Sequence, residues 1–207
     1  MDLLTELGKR RALCIVRADH LPDPVGLTRA LVDAGLPLVE YALMTPESLR
    51  VIEQASTVDG AIVGAGTVLT PELARDAVNA GAQYLLAPGL RPRVAEEAAR
   101  LGVPFVPGAL TPTEVADAME SGATAVKVFP AARMGPAYFS DLLGPYPKAP
   151  LVASGGVSAK NAAGYLAAGA LAVTAGSAVV GRGQLRPAEV GERAAEFVAA
   201  VNRGAEA

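Results

Sequence analysis

The chain has 207 residues, 51% of them hydrophobic, and a formal net charge of -3, which suits one domain over 1–207 with a sizeable core. With no basic excess to neutralise a phosphate backbone and no run of like charges, a nucleic-acid partner is not expected. No apolar stretch is long enough for a membrane span or a signal-peptide core, so a soluble, cytoplasmic protein is expected.

The chain opens on a helical segment over 2–9 and then reaches the first of eight short apolar runs, Leu13 to Val16, which ends on Arg17. That run holds the one cysteine, Cys14, read as a small buried strand residue and consistent with a reducing compartment. The one histidine, His20, follows; no His/Cys cluster for a transition metal can be assembled, and neither metal nor cofactor is expected. "PVGLTRALVDAG" has helical spacing and leads into the second run, Leu38 to Glu40, which ends on a carboxylate. Runs at Ala61 to Gly64, Tyr84 to Ala87 and Val103 to Val106 alternate with "TPELARDAVNAG" and "RPRVAEEAARLG". "TPTEVADAMESG" precedes the sixth run, Ala125 to Phe129, and "SAKNAAGYLAAG" separates Leu151 to Ala153 from Ala172 to Ala175. Several helical segments open on Thr-Pro or Ser as caps, and five close on glycine at 35, 81, 102, 122 or 169, where a left-handed turn leads into the next strand. The pattern predicts a compact (β/α)8 TIM barrel with an extra N-terminal helix across its bottom. A doubly wound open sheet is the alternative, but no G-x-G-x-x-G follows the first run.

In such a barrel the active site is built at the C-terminal ends of the strands. Those ends carry Arg17, Glu40, Thr67 in "GAGTV", Pro88 in "APGL", "VPGALTP", Lys127, "ASGGVS" and "TAGSAV". Alternation puts Ala125, Lys127 and Phe129 on one face of the sixth run and Val126 and Val128 on the other. If the valines meet the helices, the lysine points into the barrel. There burial favours a neutral amine, the nucleophile that forms a Schiff base with a carbonyl substrate. A lysine paired with a carboxylate, or snorkelling to the rim, is the structural alternative, and burial alone does not separate them. Of 18 basic residues, the other lysines are Lys9, Lys148 and Lys160, all in polar contexts; the chain otherwise uses arginine, which cannot deprotonate. Glu40 reads either as a counter-ion for Lys127 or as a proton-transfer group, and the two readings are compatible. "SGGVS" and "AGS" follow the last two runs, where barrels of this kind often hold phosphate on backbone amides.

From Leu13 to Gly181 the chain resembles the class I 2-keto-3-deoxy-6-phosphogluconate (KDPG) / 4-hydroxy-2-oxoglutarate (KHG) aldolases, through "GAGTVLTP", "APGL", "VPGALTPTE", "KVFPA", "SGGVS" and "GSAVV" in order. The resemblance implies a lyase that releases pyruvate from a 2-keto acid, with Lys127 as the Schiff-base lysine and Glu40 as the acid/base. Phe129 and Pro88 would wall the pyruvyl pocket, and Thr67 would contact the pyruvyl carboxylate. Ser154, Gly155, Gly156, Gly176 and Ser177 would line the end that takes the sugar phosphate. It also implies a homotrimer. Met44 stands where the phosphogluconate-type pattern has a substrate-binding arginine, and Arg17 would be the substitute charge near the substrate acid groups. The galactonate epimer is an alternative substrate. A phosphate-binding barrel of another activity, or a non-catalytic phosphosugar-binding barrel, are the other readings.

Overall fold

A computed structural model describes residues 1–181 and 186–203. Parallel strand segments alternate with helices: β1 (Ala12–Val16), β2 (Leu38–Ala42), β3 (Ile62–Gly66), β4 (Leu85–Leu86), β5 (Phe105–Val106), β6 (Gly108–Ala109), β7 (Val126–Val128), β8 (Leu151–Ala153) and β9 (Ala172–Ala175). Their order is β5-β4-β3-β2-β1-β9-β8-β7-β6, so the two ends of the sheet are β5 and β6, neighbours in the chain on either side of Pro107. Proline has no N–H for the ladder, so one barrel strand is divided into two short segments. Its carbonyl still accepts from the Lys127 amide at 2.9 Å, and β6 pairs with β7. The nine segments therefore form the expected eight-stranded barrel.

The helices include α1 (Leu3–Arg10), α2 (Pro24–Asp33), α3 (Ser48–Ala55), α4 (Pro71–Asn79), α5 (Pro92–Leu101) and α6 (Pro112–Glu120). After β7 come α7 (Ala131–Met134) and α8 (Ala137–Leu143), then α9 (Ala162–Ala167), α10 (Ser177–Val180) and α11 (Pro187–Arg203). Caps set several of their starts. Thr70 accepts from the Leu73 amide, and Thr111 with Glu114 forms a reciprocal capping box on α6. Gly35, Gly81, Gly102, Gly122 and Gly169 all have positive φ, between 68° and 104°, as the helix-to-strand turns require. The helix anticipated from Ser158 starts later, at Ala162. Asn161 accepts from the Ser158 amide at 2.8 Å and donates to the Gly156 carbonyl at 3.1 Å, which folds 158–161 into a turn instead.

Two apolar layers result. Val126, Val128 and their counterparts on other strands pack outward against the helices. Inside the barrel, Leu13, Leu38, Tyr84, Leu86, Val106, Ala125, Val152 and Ala172 form a second core, closed from beneath by Leu3 and Leu7 of α1. The N-terminal helix thus floors the barrel, as its sequence suggests.

Candidate active site

Lys127 lies on β7 between outward-facing Val126 and Val128, directly above the floor residue Ala125, and is 6% exposed. Glu40 lies on β2, fully buried, between Ile15 of β1 and Gly64 of β3 in register. The Lys127 Nζ is 3.8 Å from Glu40 Oε2. Neither carboxylate oxygen of Glu40 has a hydrogen-bond partner. Burial holds this carboxyl above the ordinary glutamate range, with the Lys127 and Arg17 charges pulling the other way.

The two glycines of "GAGTV" make the room. A Cβ at Gly66 would lie 2.7 Å from Glu40 Cγ and closer still to the carboxylate, and a Cβ at Gly64 would strike the Tyr84 ring. Glycine on β3 is what lets an acid and a tyrosine enter the same interior. Across the barrel, Gly108 pairs in register with Lys127 and lets the Pro88 carbonyl pack closely against it. Tyr84 is itself fully buried, and burial, with the Glu40 charge next, raises its phenol well above the usual value.

Above this layer opens a cleft at the C-terminal ends of the strands. Ile15, Arg17, Phe129, Gly155, Gly156, Thr174, Gly176 and Ser177 line it. The Phe129 ring centroid is 5.8 Å from Lys127 Nζ, which joins the cleft to the lysine. Gly155 and Gly156 both have positive φ, and a Cβ at Gly155 would come within 3.0 Å of that ring. Ser154 is buried, accepting a 3.1 Å hydrogen bond from Thr174 Oγ1, while its carbonyl accepts from the Ala131 amide at 2.7 Å. Thr67 follows β3 with φ 59°, a costly conformation for a β-branched residue. Thr67 and the exposed Pro88 follow β3 and β4 at the C-terminal ends of those strands. Met44 is 46% exposed in the turn after β2. Among the described residues no group of three or more His, Cys, Asp or Glu side chains is arranged to hold a metal ion, and no helix is long and apolar enough to cross a membrane.

Sequence reasoning singled out the charged and glycine-rich strand ends but missed Gly66, Tyr84, Gly108 and Thr174. The first and third are read in a sequence as ordinary strand or turn glycines. Tyr84 and Thr174 sit in apolar runs, and only the alternation of faces could have turned them inward.

Residues 4–194 match the sequence profile of the KDPG and KHG aldolases. The chain belongs to this aldolase family. It is 36% identical to the 2-dehydro-3-deoxy-phosphogluconate aldolase of Treponema pallidum, over 81% of this chain and 80% of that one. It is 35% identical to the 2-dehydro-3-deoxy-6-phosphogalactonate aldolase of Escherichia coli, over 91% and 93%. Its fold matches that of the KDPG aldolase of Legionella pneumophila, solved with pyruvate captured as a covalent carbinolamine intermediate, with a TM-score of 0.78, 26% identity and 94% coverage of both chains. The aldolase match spans the barrel and both ionisable groups of its interior.

Proposed function

We propose that this aldolase cleaves 2-keto-3-deoxy-6-phosphogluconate to pyruvate and glyceraldehyde 3-phosphate through a Schiff base on Lys127, with 4-hydroxy-2-oxoglutarate, giving pyruvate and glyoxylate, as a further substrate. The observation that carries the reading is the buried Lys127–Glu40 pair, 3.8 Å apart at the mouth of the barrel.

Glu40 takes the proton of the Lys127 ammonium, leaving a free amine. Nζ attacks C2 of the 2-keto acid; Glu40 then returns its proton to the departing C2 hydroxyl, and loss of water leaves an iminium that withdraws electrons from C3 and a carboxylate on Glu40. Glu40, through a water, accepts the proton of the C4 hydroxyl as the C3–C4 bond breaks. Those bonding electrons form the enamine, and the C4 fragment leaves as an aldehyde. Protonation at C3 and addition of water to C2 release pyruvate and restore the amine. A carboxyl held above its ordinary range by burial suits this work, since it exchanges protons nearer neutral pH.

Phe129 and Pro88 wall the pyruvyl group, and Thr67 meets its carboxylate. Ser154, Gly155, Gly156, Gly176 and Ser177 hold the phosphorylated end, where two glycine loops after β8 and β9 present backbone to the cleft. Arg17 supplies positive charge to the substrate acid groups. The protein works as a homotrimer in the cytoplasm, and sedimentation velocity at the trimer mass is the check on assembly.

Borohydride reduction in the presence of pyruvate should fix one pyruvyl group on Lys127, located by peptide mass mapping and lost in K127M. An unlabelled protein, under conditions that label another Schiff-base aldolase, would overturn the reading. The galactonate epimer is the second reading. It is favoured by Met44 at the position of the missing arginine and by the near-complete overlap with the phosphogalactonate aldolase. Comparing kcat/KM for the two epimers decides between them.

A further inference from the structure

Among the described residues, the buried side-chain polar atoms without a hydrogen-bond partner are Glu40 Oε1, Glu40 Oε2 and the Tyr84 hydroxyl. They belong to one small region. The Tyr84 ring lies against Gly64, and Gly64 is the register partner of Glu40 on the adjacent strand. An unpartnered buried hydroxyl is destabilising, and a phenylalanine would fill the same volume without that cost. Tyr84 is not within direct reach of the carboxylate. Two neighbouring buried groups that both want a partner, beside glycines that bring no side chains of their own, are the setting in which a buried water is retained.

We propose that Tyr84 is a positioning residue for Glu40: its hydroxyl, through one buried water, holds the Glu40 carboxylate in the orientation that receives the substrate proton. The role rests on the aldolase reading for its purpose, although the link between the two side chains stands apart from it. A phenol donates and a carboxylate accepts, so the chain of hydrogen bonds runs from Tyr84 through the water to Glu40. It favours the ionised acid and stops the carboxylate from rotating in a space that no direct bond defines. The other charged and titratable groups that act on Glu40 are Lys127 from β7 and Arg17 from the end of β1. Cys14 on β1 feels its charge in turn. Tyr41, next to Glu40 on β2, faces outward, where its hydroxyl bonds Thr28.

The test is Y84F, which keeps the ring. The Glu40 carboxyl resonance, in 13C-labelled protein and assigned by its loss in E40Q, should titrate about half a unit to one unit higher in Y84F. The acidic limb of kcat should move up with it, while KM and pyruvate trapping on Lys127 hold. An unchanged Glu40 titration, with Y84F more stable than the parent because an unpaired hydroxyl has been removed, would overturn the proposal. Failure of the wild type to cleave any 2-keto acid would instead strike the aldolase reading, and the carboxyl titration would still judge the Tyr84 link.

Discussion

Replacing Gly66 by alanine tests how closely the barrel interior places Glu40. Gly66 has no left-handed φ, so the substitution adds a methyl group without backbone strain. That methyl would lie 2.7 Å from Glu40 Cγ and nearer to the carboxylate, whereas carbon atoms settle at about 3.5–4.0 Å. The carboxylate must therefore retreat by about 1 Å or more. A displacement of that size in a reacting group costs on the order of 100-fold in rate, equivalent to about 2.7 kcal/mol. Overpacking should add about 1–3 kcal/mol of lost stability. Pyruvate release, coupled to NADH oxidation, reports the first effect and denaturant unfolding the second. E40A in the G66A background should recover most of the stability, because the methyl then occupies vacated space, so the two changes will not add. G191A is the control: its methyl would meet Ala30 Cβ at 3.5 Å, and activity should hold with a stability gain of up to about 1 kcal/mol. If G66A retained kcat/KM within about twofold of the parent at unchanged stability, the claim that this glycine places Glu40 would be refuted.

Two further outcomes follow from the same interior. Burial raises the Glu40 carboxyl in the folded state, so the folded chain holds a proton there that the unfolded chain releases at the ordinary glutamate value. Stability from this group is therefore full below the ordinary value and is lost as pH rises toward the raised one. E40Q carries no such loss, and in urea unfolding it should gain on the wild type from about pH 4 upward; a difference that stays constant between pH 4 and pH 8 would contradict this. T174V keeps shape but removes the hydroxyl that donates to Ser154 Oγ at 3.1 Å. KM for the phosphorylated substrate should rise about 3- to 10-fold with kcat little changed, a bond of about 1 kcal/mol, and the S154A/T174V pair should be no worse than S154A alone.

The alternation of apolar runs and glycine-closed helices made the barrel legible, because each unit repeats a local rule that its neighbours do not alter. Lys127 was legible for a related reason: a lysine between outward valines leaves its alternate face only the interior. Pro107 hid the continuity of the fifth strand, since the missing N–H interrupts a ladder whose carbonyls still pair. The start of α9 was misplaced because Asn161 binds back to the Ser158 amide, a choice made by a side chain rather than by helical spacing. Gly66 and Tyr84 escaped notice because their meaning lies across strands. The register of β2 against β3 sets Gly64 beside Glu40, the Gly66 position opens onto the carboxylate, and the Tyr84 ring packs over Gly64 from just before β4.

The floor laid by Leu3 and Leu7 of α1 gives the barrel two storeys of different character. Below, leucine, valine and alanine interlock around the axis. Above, glycines, one acid, one lysine and two linked hydroxyls leave room for a guest. Height along the axis then sorts mutations by consequence: changes low in the barrel act on whether the chain folds, and changes one layer higher act on what it converts. A lineage could rework the upper storey for a new keto acid while the lower one goes on holding the walls in register.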